Sequence, residues 1–231
     1  MGLLEGKVAI VTGAGGGLGR AHALLLAEHG ACVVVNDLGG ARDGTGSSNS
    51  MADSVVEEIR AAGGQAAATY GSVTDDDAAK AMVQCAVDNF GRLDILINNA
   101  GILRDRSFKN MTDAEWDAVI DVHLRGSYLA TKHAWQQMLT QGEGGRIIMT
   151  SSTSGLIGNL GRANYGAAKA GVAGFMRVLA LEGMKYGITV NVLAPAALSR
   201  MTEDLMPDSE EVAVRMAPEK VSPTVAWLCT D

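Results

Sequence analysis

The chain has 231 residues, of which 47% are hydrophobic and 19% charged, enough to bury the core of one stable domain. Its formal net charge of −7 argues against a nucleic-acid partner, because proteins that bind phosphate backbones usually present a basic face. No run of about 18 apolar residues occurs, and the N-terminal segment lacks the pattern of a secretory signal. We therefore expect a cytoplasmic protein that acts on a small molecule, without nucleic acid and without a membrane segment.

Six short runs of β-branched or aliphatic residues predict strands: Val8 to Val11, Cys32 to Val35, Ala66 to Tyr70, Ile95 to Ile97, Arg146 to Met149 and Ile188 to Leu193. Apolar residues at helical spacing predict the intervening helices: Leu18 to His29, Ser54 to Ala62, Asp77 to Phe90, Ala114 to Leu139 and Ala167 to Tyr186. Strict alternation of strand and helix predicts a single α/β domain with a doubly wound parallel sheet of the Rossmann type. Its ligand should lie at the carboxyl ends of the strands.

The first predicted strand runs into the glycine-rich segment Thr12 to Gly19, which a predicted helix follows. Glycines without Cβ atoms let the backbone approach a pyrophosphate, and the helix N-terminus stabilises its negative charge. An isolated glycine motif would fit an ordinary turn equally well, but the order of strand, glycines and helix favours a dinucleotide site. The residues that we expect at the cofactor are Gly13, Gly17, Leu18 and Gly19.

Asp37 follows the second predicted strand. Its separation from Gly13 is close to the spacing of about 20 residues at which a carboxylate after the glycine motif meets the adenosine ribose. A carboxylate at this place accepts hydrogen bonds from the ribose hydroxyls and repels a 2′-phosphate, which favours NAD over NADP. Arg20 and Arg42 lie nearby in the sequence, so NADP is not excluded. The alternative interpretation of Asp37 is a turn residue.

Tyr165 and Lys169 are four residues apart, which places both side chains on one face of a helix. A solvated lysine beside a packed tyrosine would give the same spacing, but these residues follow the fifth predicted strand and a cluster of Ser, Thr and Gly. The ammonium should lower the pKa of the phenol, by about 1–3 units for a close pair. Ser152 could then hold the substrate oxygen in line with the phenol.

These segments together resemble the short-chain dehydrogenase/reductase family: TGxxxGxG at Thr12 to Gly19, NNAG at Asn98 to Gly101, Ser152, and YxxxK at Tyr165 to Lys169. The resemblance implies an oxidoreductase in which Tyr165 is the acid/base, Lys169 bonds the nicotinamide ribose and Ser152 orients the substrate. It also implies that Asn99, Ala100 and Gly101 line the adenosine side, and that Ser72 and Val73 replace the usual Asp-Val pair against adenine.

Four further stretches are similar to the (3R)-hydroxyacyl-CoA dehydrogenase unit of peroxisomal multifunctional enzymes: residues 36–40, 102–108, 122–127 and 199–202. This likeness implies NAD-dependent interconversion of a 3-hydroxyacyl and a 3-oxoacyl thioester. It also implies a homotetramer or dimer formed through the long helices, and a peroxisomal location if the chain comes from a eukaryotic multifunctional enzyme.

Three features depart from the family pattern. His123 replaces the asparagine of a proton relay, and Pro195-Ala196 replaces Pro-Gly, leaving Ser199 or Thr202 as candidate donors to the nicotinamide amide. The sequence also ends at Asp231, before the expected last strand and substrate-side tail, so we expect an incomplete domain.

Two other functions remain open at this stage. An NADPH-dependent 3-oxoacyl-carrier-protein reductase would share every catalytic residue and differ mainly at Asp37. A non-enzymatic dinucleotide sensor would keep the glycines but would not need Ser152, Tyr165 and Lys169 together. The scattered Cys32, Cys85 and Cys229 suggest reduced thiols, and we expect no metal site because neither the cysteines nor the histidines have ligand spacing.

Overall fold

A computed structural model describes residues 2–197 and 209–230. The strands are β1 (Val8–Thr12), β2 (Cys32–Asn36), β3 (Ala66–Thr69), β4 (Ile95–Asn98), β5 (Gly145–Thr150) and β6 (Ile188–Leu193). The α-helices are α1 (Gly17–Glu28), α2 (Ser50–Ala61), α3 (Asp76–Phe90), α4 (Asp113–Ile120), α5 (Gly126–Gln141), α6 (Thr153–Leu156), α7 (Ala163–Gly183), α8 (Glu210–Arg215) and α9 (Ser222–Leu228).

All six strands form one parallel sheet in the order β3-β2-β1-β4-β5-β6. This order confirms the predicted doubly wound α/β fold. The chain moves outward from β1 to β3 and then returns to place β4 on the other side of β1, so a crevice opens at the carboxyl ends of these two central strands.

The central strands of the sheet are buried on both faces, so they are almost continuously apolar rather than alternating. Every residue of β1 is buried, and one apolar cluster covers each face of the sheet. Ile59 of α2 and Leu26 of α1 pack on one face, whereas Met82 of α3 and Met138 of α5 pack on the other. Helices on both faces are what right-handed crossovers between parallel strands produce.

Two predicted helices differ from the observed ones in ways that affect the site. The segment predicted as one helix, Ala114 to Leu139, consists of α4 and α5 joined by a π-helical turn over Asp121–Arg125. Helix α7 begins at Ala163 rather than Ala167, so Tyr165 lies in its first turn. The helical periodicity does not change across either boundary, and single-turn π segments have no strong sequence signal.

In the described ranges, no helix is both long enough and apolar enough to cross a membrane. The same residues contain no group of three or more His, Cys, Asp or Glu side chains that could hold a metal ion. The three cysteines are free thiols, with Cys229 buried and Cys32 and Cys85 partly exposed.

Candidate active site

The loop between β1 and α1 requires glycine at several positions. Gly13 has φ +63°, and a Cβ added there would lie 2.8 Å from the Cα of Ala100. Gly17 has φ +53°, a left-handed conformation that costs little only for glycine. A Cβ on Gly19 would lie 2.2 Å from the carbonyl oxygen of Gly13. The glycines therefore allow the loop, the helix and β4 to approach closely.

A cavity of about 380 Å³ lies at the carboxyl ends of β1 to β4. Its wall includes these predicted cofactor residues: Gly13, Gly17, Leu18, Asp37, Ser72, Val73, Asn99, Ala100 and Gly101. Gly19 is buried behind the loop and does not line the cavity, so its place in the motif reflects helix packing. Added Cβ atoms on Gly13 and Gly19 would clash with Ala100 and Gly13, so only glycine permits this close approach of the backbone beside the cavity. The loop from Gly13 to Gly19, here called the glycine cradle, leads into the N-terminus of α1 and therefore fits the phosphates of a dinucleotide.

Thr12 and Asn99 tie the glycine loop to the end of β4. The Asn99 amide donates hydrogen bonds to the carbonyl oxygens of Thr12 and Gly13, at 3.0 and 3.1 Å. The Thr12 hydroxyl in turn accepts hydrogen bonds from the backbone N–H groups of Asn99 and Ala100, both at 3.0 Å. The Asn99 side chain thus stabilises the cradle, and the role of Thr12 emerges only from the structure.

Asp37 lies in the cavity wall and also stabilises the turns around it. Its two carboxylate oxygens accept hydrogen bonds from the backbone N–H groups of Gly15 and Gly39, each at 2.7 Å. The bond to Gly39 is the turn contact of the alternative interpretation, whereas contact of the carboxylate with a ribose stays a prediction. Arg20 points elsewhere, because its guanidinium pairs with Glu58 at 2.5–3.1 Å.

Ser152, Tyr165 and Lys169 meet beyond the carboxyl end of β5. Ser152 precedes α6, and its hydroxyl accepts a hydrogen bond from the backbone N–H of Ser154 at 3.2 Å. Tyr165 and Lys169 are one turn apart on α7, with the lysine Nζ 5.6 Å from the centroid of the tyrosine ring. The structure therefore brings a hydroxyl, a phenol and an amine to the same strand edge as the cavity.

The environment of Lys169 reduces its charge. The side chain is buried, and burial lowers the pKa of its amine to about 7. Its Nζ donates a hydrogen bond to the carbonyl oxygen of Thr150 at 2.5 Å, while the Ser151 hydroxyl donates to the carbonyl oxygen of Lys169 at 2.7 Å. These bonds fix the lysine against the end of β5.

The predicted lowering of the Tyr165 pKa is wrong for the protein without ligands. Burial of the phenol is the largest influence and raises its pKa above the ordinary value. A hydrogen bond with Ser152 and the charge of Arg162 lower the pKa, whereas the Asp105 carboxylate raises it, and burial prevails. The sequence shows the spacing of the lysine but does not show that both groups are desolvated.

Comparison with known proteins identifies the family. The sequence profile of the short chain dehydrogenase family matches residues 7–211. The chain belongs to the short-chain dehydrogenase/reductase family. It is 53% identical to a short-chain type dehydrogenase/reductase of Mycobacterium tuberculosis, covering 99% of this chain and 79% of that protein. The crystal structure of a short chain dehydrogenase from Mycobacterium avium has a TM-score of 0.86 and 49% identity, covering 99% of this chain and 78% of that one.

Another relative, peroxisomal multifunctional enzyme type 2 of Mus musculus, is 54% identical over 97% of this chain. The chain spans only 30% of the length of that enzyme. Further relatives are named as a hydroxyacyl-CoA dehydrogenase and a 3-oxoacyl-[acyl-carrier-protein] reductase. The protein is thus an oxidoreductase whose relatives act on small molecules, as the sequence motifs predict.

Asn164 is a buried residue of this short-chain dehydrogenase/reductase site that the sequence analysis missed. Its amide donates hydrogen bonds to the carbonyl oxygens of Arg104 and Glu115, at 3.1 and 3.0 Å. Its Oδ1 accepts a hydrogen bond from the backbone N–H of Tyr165 at 2.7 Å. Asn164 thereby fixes the start of α7 against α4 and the loop after β4, and its position beside Tyr165 was the only sequence signal.

His123 lies within the π-helical turn and contacts the tyrosine. Its ring is edge-on to that of Tyr165 at a centroid distance of 5.1 Å, and its Nε2 is 2.8 Å from the carbonyl oxygen of Ile102. Burial and the charge of Lys169 hold the pKa of His123 well below its usual value, so the ring is neutral. The Ser127 hydroxyl donates to the His123 carbonyl oxygen at 2.6 Å, so this carbonyl is bonded within the protein.

The loop after β4 uses its arginines within the protein. The Arg104 Nε donates to the carbonyl oxygen of Asp43 at 2.9 Å, and the Arg106 guanidinium pairs with Glu115 at 3.1 Å. Pro195 and Ala196 follow β6 without regular structure. Ser199 and Thr202, the candidate donors to the nicotinamide amide, lie outside the described residues.

Proposed function

We propose that the protein is an NAD-dependent dehydrogenase that interconverts a (3R)-hydroxyacyl thioester and its 3-oxoacyl form, with CoA as the carrier. The main support is that Ser152, Tyr165 and Lys169 lie together at the edge of the sheet where the glycine cradle also lies. A sensor that only binds the dinucleotide would not need this convergence. The thioester is supported by the relatives named above and by the likeness of residues 102–108 to the hydroxyacyl-CoA enzymes.

In the proposed reaction, Tyr165 takes the proton of the 3-hydroxyl group during oxidation and returns it during reduction. Ser152 holds the substrate oxygen near the phenol. Bound NAD would accept a hydride from the carbon that carries this oxygen. Lys169 would bond the nicotinamide ribose and stabilise the phenolate, and transient ionisation of the tyrosine becomes easier if cofactor binding favours the charged amine.

The proposed cofactor contacts follow the cavity wall. Gly13, Gly17 and Leu18 would surround the pyrophosphate, with Gly19 supporting them from behind through the packing of α1. Ser72 and Val73 would lie against the adenine, and Asn99, Ala100 and Gly101 would line the adenosine side.

The preference for NAD rests on Asp37. Its carboxylate lies in the cavity wall and would repel a 2′-phosphate, and Arg20, the first candidate to bind such a phosphate, is paired with Glu58. Arg42 lines the same cavity, and this observation favours the second candidate function, an NADPH-dependent 3-oxoacyl-carrier-protein reductase.

A kinetic comparison tests the proposal. The purified protein is assayed with (3R)- and (3S)-hydroxyacyl-CoA of several chain lengths, with secondary alcohols and steroids, and in reverse with 3-oxoacyl-carrier protein, each with both cofactors. We expect the highest kcat/KM for (3R)-hydroxyacyl-CoA and NAD. A preference for the (3S) epimer or for non-thioester alcohols would overturn the substrate assignment, and a preference for NADPH and carrier protein would establish the second candidate.

We also propose that the chain forms a homotetramer or dimer through α5 and α7. Tyr128 and Phe175 contact each other across these helices with ring centroids 6.3 Å apart, and Val178 and Leu181 are exposed on α7. Exposed apolar side chains along adjacent helices are typical of subunit contacts. Light scattering after size-exclusion chromatography gives the oligomer mass, and Leu181→Glu should lower it. The mass of a monomer for both the parent protein and Leu181→Glu would contradict the proposal.

A further strand is proposed to pair with the outer edge of β6. In the described part of the sheet, β6 is an edge strand, and Trp227 of α9 beside it is 70% exposed. An uncovered edge exposes backbone groups that another strand can satisfy. The intact mass of the active protein tests this: full activity at 24.0 kDa would contradict it.

For the compartment we propose the cytoplasm, or the peroxisome if the chain belongs to a eukaryotic multifunctional enzyme. Imaging of the tagged full protein would distinguish the two.

A further inference from the structure

Two basic side chains lie near the Tyr165 ring. The Nζ of Lys169 and the Cζ of Arg162 each lie 5.6 Å from its centroid. The YxxxK motif accounts for Lys169 but contains no position for Arg162, which lies immediately before α7. Cations at this distance from an aromatic ring interact favourably with its π electrons and more strongly with a phenolate.

Arg162 is held in place by the loop after β4. Its Nε donates to the Asp105 carboxylate at 2.8 Å, and the side chain is only 10% exposed. The backbone N–H of Arg106 donates to the carbonyl oxygen of Gly161 at 2.9 Å, which joins the two loops directly beside this ion pair. The Nη2 atom of Arg162 is buried and has no hydrogen-bond partner among residues 2–197 and 209–230. The guanidinium is thus fixed beside the tyrosine rather than solvated.

The two cations differ in how they respond to pH. Burial brings the pKa of Lys169 to about 7, so its charge decreases through the neutral range, whereas a guanidinium stays protonated throughout. The remaining groups that face the phenol are the neutral His123 ring, the Ser152 hydroxyl and the Asp105 carboxylate. Arg162 therefore supplies the only positive charge near Tyr165 that does not titrate, within the described residues.

We propose that Arg162 is a positioning residue whose fixed charge beside the ring favours the ionised form of Tyr165. The inference rests on the proposed function, since it gives Tyr165 the acid/base role. Its chemical content, a charge that shifts the ionisation of one phenol, can be measured without any substrate.

The test is a fluorine NMR titration of the protein labelled with 3-fluorotyrosine, whose phenol ionises at lower pH than that of tyrosine. The chain has four tyrosines, and the signal missing from Tyr165→Phe assigns Tyr165. We expect Arg162→Gln to raise the pKa of this residue by about 0.5–2 units, the range that Coulomb attraction at about 6 Å gives between a water-like and a protein-like dielectric. Arg162→Met serves as a second neutral variant, should the first fail to fold.

Two controls separate charge from loop structure. Arg162→Lys retains a cation and should restore most of the parent pKa, while Arg106→Gln, which removes an exposed arginine of the same loop, should leave it unchanged. A Tyr165 pKa equal to the parent's in the neutral variants would overturn the inference, as would an equal shift in Arg162→Lys. Activity is measured separately: undiminished turnover in Tyr165→Phe would refute the proposed function and would leave the NMR result standing.

Discussion

The cofactor side and the catalytic side of the cleft are built differently. The cofactor side consists mainly of backbone: glycines in left-handed conformations, strand ends, and the side chains of Thr12, Asn99 and Asp37 that hold this backbone in place. The catalytic side consists of buried polar side chains that influence one another, centred on Tyr165 and Lys169. Conformation therefore governs the first region and desolvation the second, so substitutions in the two regions should fail in different ways.

The largest effect should come from Tyr165→Phe on the catalytic side. Only the hydroxyl is lost, so we expect kcat to fall by about 10²–10⁴-fold while the Kd for NAD stays close to that of the parent. Steady-state kinetics and calorimetric titration with NAD measure the two quantities. Lys169→Ala should impair both, because this residue is also proposed to bond the cofactor. A Phe variant with near-parental turnover would remove Tyr165 as the acid/base.

Gly13→Ala should produce the opposite pattern on the cofactor side. The added Cβ must tolerate φ +63° and would lie 2.8 Å from the Cα of Ala100, so the cradle has to open. The left-handed conformation alone costs an alanine about 1–3 kcal/mol. We therefore expect the loop to change its conformation and the Kd for NAD to rise at least tenfold. Gly142→Ala is the matched control, because φ there is +72° but nothing lies within 4 Å of an added Cβ. Equal cofactor binding in both variants would show that the cradle is not at Gly13.

The contrast between the two regions also explains what the sequence could and could not predict. Gly13, Gly17 and Asp37 lie in the cavity wall at the strand ends, because the order of strand, loop and helix determines where a backbone turn lies, and their contact with a cofactor stays a prediction. Gly19 was the exception, since the same motif serves both ligand approach and helix packing. Asn164, Arg162 and the π-helical turn at His123 were missed, because their roles depend on contacts between distant segments.

Burial of the Lys169 amine should make the stability of the protein depend on pH. Its pKa is about 7 in the folded protein and about 10.5 when unfolded, so the unfolded state binds more protons between these values. The free energy of unfolding should therefore increase with pH, by up to about 1.4 kcal/mol per unit, in the window above pH 7. Measurements should stop near pH 9, because a second group then affects stability. Burial raises the pKa of Cys229 to about 12, so above pH 9 this thiol ionises in the unfolded state but not in the folded one, which favours unfolding.

Denaturant titrations at several pH values check this dependence. Lys169→Met should remove the pH-dependent increase, whereas Lys132→Met, an exposed lysine paired with Asp76, should retain it. The same slope in the parent and in Lys169→Met would mean that burial of this amine does not control stability in the neutral range.

The smallest effect is expected at Asp37, where charge acts on a site otherwise formed by backbone. Asp37→Asn preserves the shape of the side chain and retains one carbonyl oxygen, so it can keep only one of the two bonds to the N–H groups of Gly15 and Gly39. Loss of the negative charge should reduce the ratio of kcat/KM for NAD over NADP by about tenfold, which corresponds to about 1.4 kcal/mol. Asp43→Asn, an exposed carboxylate of the neighbouring loop, should leave the ratio unchanged. If both variants changed the ratio equally, the general negative charge of the surface rather than the Asp37 carboxylate would determine the cofactor preference.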